Sequence, residues 1–141
     1  MVNLTQIVAV VDDDESVRRA IRRLLRSFGL EAETFLSGEA FLSTLSSASS
    51  AVFACVIADI QMPGIDGLEL QRRMVQRGVP IIFVTGNEDA TLREKALARG
   101  GAGYLKKPVD GTMLIRAVEI ASASPGRPNG SPLTCSMLSQ S

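Results

Sequence analysis

Val52-Phe53-Ala54-Cys55-Val56-Ile57-Ala58, followed directly by Asp59-Ile60-Gln61-Met62-Pro63-Gly64, decides the fold. A strand with one wet face would alternate apolar and polar residues. This one is apolar throughout, so both of its faces are buried. Pro63 and Gly64 then break the chain, and Ile65–Gln76 resumes a helical period through Leu68, Met74 and Val75. A strand covered on both faces and followed by a helix belongs to a parallel sheet with helices on each side.

Working outward, the same unit recurs. Gln6–Val11 (QIVAVV) is a strand, and Ser16–Phe28 is a helix with Val17, Ala20, Ile21, Leu24, Leu25 and Phe28 on one face. Arg18, Arg19, Arg22, Arg23 and Arg26 fill its other face, and Gly29 ends it. That arginine face could meet an acidic surface, but a solvated amphipathic helix balanced by Asp12–Glu15 at its N-terminus is the better account. Glu31–Leu36 reads as a half-exposed strand, Gly38–Leu45 as a short helix and Ser46–Ala51 as a loop. Val79–Val84 (VPIIFV) is a strand, Glu88–Arg99 a helix stopped by Gly100 and Gly101, Ala102–Lys106 a short strand, and Asp110–Ala121 the last helix. The result is an α/β fold, (βα) five times, forming a doubly wound five-stranded parallel sheet. Residues 1–121 form one domain. Residues 122–141, rich in Ser, Pro and Gly, read as a flexible tail or a linker stub.

Composition excludes several functions. Lys plus Arg number 15 and Asp plus Glu number 15, so no global charge draws the chain to nucleic acid or anionic lipid. There is no His, which removes His-based triads, the common catalytic zinc sites and a His general base. Without Trp, and with a single Tyr, base-stacking platforms are not expected. Cys55 sits in an apolar run and Cys135 in a polar one; neither a disulfide framework nor a metal knuckle results, which fits a reducing cytoplasm. No signal peptide and no apolar run of membrane-spanning length is present.

In an open parallel sheet, ligands bind beyond the carboxyl ends of the strands. Those positions carry Asp12, Asp13, Asp14 and Glu15 after the first strand, and Asp59 after the third. Thr85, Gly86 and Asn87 follow the fourth, and Lys106, Lys107 and Pro108 the fifth. Carboxylates gathered at one edge repel by about 4 kcal/mol per pair at 4 Å in an effective dielectric of 20. An oxygen-only donor set suits a hard cation, Mg²⁺, Mn²⁺ or Ca²⁺. The acids also suit the N-terminus of the arginine-rich helix; Asp14 or Glu15 can cap it while Asp12 and Asp13 face the cleft. Asp59 is either a further ligand or a nucleophile able to form an aspartyl phosphate, with Lys107 as the neutralising cation and Thr85 as a hydroxyl donor.

Val11-Asp12-Asp13, the run from Asp59 to Gly67, Val84-Thr85-Gly86 and Lys107-Pro108 resemble, in order and spacing, the landmarks of bacterial response-regulator receiver (CheY-like) domains over residues 5–121. The wording around Phe41-Leu42 and Val84-Thr85-Gly86 is similar to the FixJ/LuxR-type subclass. The resemblance implies the flavodoxin-like strand order 2-1-3-4-5, which spacing alone does not set. It implies that Asp59 accepts a phosphoryl group from a histidine kinase or histidine phosphotransfer protein. Asp12, Asp13, Asp59 and the backbone carbonyl of Gln61 would hold Mg²⁺, or Mn²⁺ in its place. Lys107 would pair with the phosphoryl group, aimed by a cis bond before Pro108. Thr85 and Tyr104 would act as the switch, with Gln61 and Asn87 tuning acyl-phosphate lifetime. Such a domain is a phosphoacceptor that promotes its own phosphorylation and slow autodephosphorylation, not an enzyme. Its output face would comprise the fourth helix, fifth strand and last helix, with a homodimer through that face as one output. The 20 residues after the last helix are too few for a helix-turn-helix domain, so no nucleic-acid contact by this chain is expected. A stand-alone relay or docking receiver and a fragment of a longer LuxR-type transcription factor both remain open. An aspartyl-nucleophile phosphatase is a further alternative, but Asp59-Ile60-Gln61 lacks the second acid of an Asp-x-Asp pair.

Overall fold

A computed structural model describes residues 6–47, 52–86, 90–98 and 102–123. Ten elements alternate: β1 (Gln6–Val11), α1 (Glu15–Ser27), β2 (Ala32–Phe35), α2 (Gly38–Ser47), β3 (Val52–Asp59), α3 (Gly67–Val75), β4 (Ile81–Thr85), α4 (Ala90–Ala98), β5 (Gly103–Lys106) and α5 (Gly111–Ala123). The strands form one sheet in the order β2-β1-β3-β4-β5, with every neighbouring pair parallel. Both the (βα)₅ pattern and the order 2-1-3-4-5 are as expected.

Alternation along each strand sorts side chains onto two cores. Val8 and Val10 of β1 join Ile21 and Leu25 of α1 and Leu114 and Val118 of α5 on one face. Ala9 and Val11 join Phe41 of α2 and Leu70 and Met74 of α3 on the other. Phe35, Phe41 and Phe53 meet edge-to-face on that second side, with ring centroids 5.1 to 6.2 Å apart. In β3 the alternation slips once: Ile7 pairs Phe53 but Val8 pairs Cys55, so Ala54 is left over as a bulge.

Element ends differ from expectation for local reasons. α1 stops as expected: Gly29 is left-handed, its N–H bonds Arg26 O, and the Leu30 N–H returns to Leu25 O. β4 begins at Ile81 rather than Val79, because Pro80 has no N–H to give the ladder. α3 begins at Gly67 rather than Ile65, because Asp66 is extended and caps it, accepting the Glu69 N–H at 2.9 Å. Asp110 likewise caps α5, accepting the Met113 N–H at 3.1 Å. α2 runs on through Ser46 and Ser47, which the sequence assigned to a loop, since each residue added to a formed helix gains a backbone bond. α5 extends to Ala123, two residues past the expected domain boundary. The ends of the expected fourth helix, Glu88, Asp89 and Arg99, lie outside the described residues, as do 124–141, Cys135 among them. No described helix is long and apolar enough to cross a membrane.

Candidate functional site

Strand register brings the candidate residues to one edge. Val11 pairs Ala58, Asp59 pairs Val84, and Thr85 pairs Lys106. Asp12, Asp59, Thr85 and Lys107 therefore stand at or one step past the carboxyl ends of four neighbouring strands. Three of them are buried: Asp12 is 2 % exposed, Asp59 8 % and Thr85 1 %.

Asp12 is held at several points. Its Oδ1 accepts the Asp14 N–H at 2.9 Å, and its backbone carbonyl accepts Arg18 Nη1 at 2.7 Å. Its Oδ2 lies 2.9 Å from Lys107 Nζ, yet that buried oxygen makes no hydrogen bond. The approach is an ion pair whose angle falls short of a well-formed hydrogen bond. Asp59 Oδ2 accepts from Lys107 Nζ at 2.9 Å, and its Oδ1 accepts the Gln61 N–H at 3.1 Å. One ammonium thus bridges two buried carboxylates. Carboxylate oxygens of Asp12, Asp13 and Asp59 all lie within 4.8 Å of one another. Asp13 is the exposed member.

Burial pushes the Asp59 carboxyl above its ordinary range; Lys107 and the Gln61 N–H pull it down less strongly, and Asp12 adds to the rise. An ion pair alone would have lowered it, so desolvation wins at this position. Burial also works against the charge on Lys107, but the Asp12 and Asp59 carboxylates outweigh it and hold the ammonium above its usual value. Asp14 serves the helix instead. Its Oδ1 accepts Ser16 Oγ at 2.7 Å and the Ser16 N–H at 2.9 Å, and these bonds hold its carboxyl below the usual range.

The donor set fits a hard divalent cation. Three carboxylates converge, every available ligand atom is oxygen, and the buried Asp12 Oδ2 faces only the Lys107 ammonium among the described residues. Lys107, not Lys106, enters the site, and Lys106 is exposed. The Lys107–Pro108 peptide is cis, as the resemblance implies. Gly86 leaves open space beside the Lys107 stem; a Cβ there would meet only Lys107 Cδ, at 3.9 Å. Tyr104 is half-buried on β5, with the Arg93 guanidinium 5.9 Å from its ring centroid. The Gln61 side chain is exposed, and Asn87 lies outside the described residues.

Two contacts near the site have no sequence signal. Arg18 reads as one of five solvated arginines, yet it secures the Asp12 carbonyl. Glu39, which the sequence does not single out, lies in the first turn of α2, and its Oε2 accepts the Ile65 N–H at 3.0 Å from 26 residues away.

The profile of the response regulator receiver domain matches residues 8–119. The transcriptional regulatory protein FixJ of Bradyrhizobium diazoefficiens is 37% identical over 116 residues, which is 81% of this chain and 55% of FixJ. The response regulator protein TodT of Pseudomonas putida F1 is 32% identical, covering 86% of this chain and 53% of TodT. The crystal structure of a response regulator receiver protein from Burkholderia phymatum superposes with a TM-score of 0.77 at 51% identity, covering 84% of this chain and 95% of that one. With the fold and the acidic edge described above, this makes the chain a member of the response-regulator receiver domains of two-component systems. Domains of this family are signalling modules and generally bind Mg²⁺ at an acidic pocket. The chain spans about half the length of the curated relatives it matches.

Proposed function

We propose that this chain is a Mg²⁺-dependent phosphoryl acceptor, with Asp59 taking the group from a phosphohistidine on a separate kinase or phosphotransfer protein in the cytoplasm. One observation carries the reading. Lys107 Nζ stands 2.9 Å from an oxygen of both Asp12 and Asp59, inside a cluster of three carboxylates. Two buried acids share one lysine with a third carboxylate beside them, and a site that receives a phosphoryl group needs both that ammonium and a metal cation.

Asp12, Asp13, Asp59 and the Gln61 carbonyl would hold the ion, which when bound screens the carboxylates and the oxygens of the incoming phosphoryl group. The chain's own residues do the rest. Asp59 presents an oxygen to phosphorus; the O–P bond forms as the N–P bond of the donor breaks. Lys107, kept charged by its two acid partners, turns from the carboxylates to the transferred group. Gly86 leaves room for that group. Thr85, at the end of β4, supplies a hydroxyl to a phosphoryl oxygen, and Tyr104 follows on β5, coupling the site to the α4–β5–α5 face. Gln61 and Asn87, two residues past Asp59 and Thr85, tune the lifetime of the acyl phosphate.

Acetyl phosphate with Mg²⁺ should add one phosphoryl group to the intact mass, and Asp59→Asn should abolish the gain. Undiminished labelling of that variant would overturn the site. The relatives' greater length favours a second element of the reading, a receiver that works within a longer regulator rather than as a free relay.

A further inference from the structure

The contact between Glu39 and Ile65 joins two segments that share no strand pairing. Glu39 lies in the first turn of α2, and its exposed carboxylate accepts the Ile65 N–H at 3.0 Å. The helix start is already capped, because Ser37 Oγ accepts the Ala40 N–H at 3.0 Å. The loop is shaped to the contact. Gly64 is left-handed at φ 76°, and a Cβ on it would run into the Glu39 carboxylate. A Cβ on Gly38 would stand 3.1 Å from Ile65. Helix and loop thus approach at backbone range on both sides of the bond.

The loop between β3 and α3 is anchored through several of its backbone amides. The Gln61 N–H meets Asp59 Oδ1 at 3.1 Å, the Ile65 N–H meets Glu39, and the Gly67 N–H meets Ile60 O at 2.9 Å. The Ile60 N–H at the start of the loop also reaches outside, to Val84 O of β4 at 3.3 Å, but that bond continues the sheet ladder, whereas Glu39 brings a side chain from α2 to the middle of the loop. We propose that Glu39 is a positioning residue for the acidic site. It holds the β3–α3 loop so that the Gln61 carbonyl is presented to a divalent cation beside Asp12, Asp13 and Asp59. This rests on the reading of the site as a Mg²⁺-dependent phosphoryl acceptor. The requirement is for an acceptor oxygen at that reach, so Glu39→Gln retains the function and Glu39→Ala loses it.

The test uses the full chain and two readouts, amide exchange at Ile65 and a Mg²⁺ titration followed by the Gln61 amide shift. Supporting partners of metal ligands carry about tenfold or more in affinity. Glu39→Ala should therefore weaken Mg²⁺ binding by about tenfold and speed Ile65 exchange by a comparable factor, while Tm moves by a few degrees at most. Glu39→Gln should stay within about twofold of the parent on both readouts. Unchanged Ile65 exchange in Glu39→Ala overturns the proposal, as does a loosened loop that binds Mg²⁺ as the parent does. Equal loss of affinity in both variants overturns it too. Failure of the underlying reading shows separately, as a parent protein that neither binds Mg²⁺ nor is labelled by acetyl phosphate, and the proposal then falls with it.

Discussion

Asp13 and Asp14 are neighbours with opposite duties. Asp13 is exposed and adds a third negative charge within 4.8 Å of Asp12 and Asp59. Asp14 caps α1 with three accepted bonds. Without Mg²⁺, Asp13→Ala should raise stability by on the order of 1 kcal/mol by relieving repulsion, an effect reduced by salt. Asp14→Ala should lower Tm by a few degrees. Thermal melts in chelator would check both, and a Tm loss in Asp13→Ala would make that residue structural. The hydrogen bonds from Ser16 hold the Asp14 carboxyl below its ordinary value of 3.8. Its contribution is thus present above 3.8 and lost as pH falls through the folded value. Buried Cys55 behaves in the other sense. Desolvation pushes its thiol from 9.0 up to about 12, the Ser122 hydrogen bond opposing only weakly. The unfolded chain ionises first, so stability is whole below pH 9 and is lost as pH rises toward 12. In a Cys135→Ser background, native protein at pH 8 should resist iodoacetamide and unfolded protein should react; fast native labelling would contradict the burial.

Between elements, α3 packs against the end of β3 with no room to spare. A Cβ on Gly67 would stand 2.5 Å from the Asp59 carbonyl oxygen and 2.8 Å from Ile60 Cα, both backbone atoms that cannot turn aside. Gly67→Ala should therefore push the first turn of α3 away and cost on the order of 2 kcal/mol, read as a lower urea midpoint. Farther along α3, Glu69 pairs with Arg72 at 2.6 Å and Arg73 at 2.9 Å. Hydrogen bonds from Arg72, then Arg73, pull its carboxyl to about 2, but the pair is solvated and adds little to stability. α1 is unlike α3. Its Arg19, Arg22, Arg23 and Arg26 are exposed without an ion pair among the described residues, while Arg18 alone turns back to Asp12.

For the whole molecule, the phosphorylation proposed at Asp59 would add charge of about −1.5 to −2 at the sheet edge, as other phosphate groups do. Met113 and Ile120 of α5 are 57 % and 61 % exposed, seven residues apart and so on one side of the helix, on the proposed output face. Size-exclusion with light scattering should show a shift from monomer to dimer with acetyl phosphate and Mg²⁺ if that face is the output. An unchanged mass would favour a monomeric relay. The order of elements was legible in the sequence because a strand buried on both faces leaves an unbroken apolar run, as Val52–Ala58 does, and a covering helix leaves a 3.6-residue period, as α1 does. The acids after β1 and β3 and the lysine before Pro108 were legible too, since a parallel sheet must gather its strand ends at one edge. Which acid is buried, which oxygen Lys107 meets, and that Glu39 reaches Ile65 were not. Those contacts span 48 and 26 residues and depend on how far each element slides and turns against its neighbours, a packing outcome that no local period records.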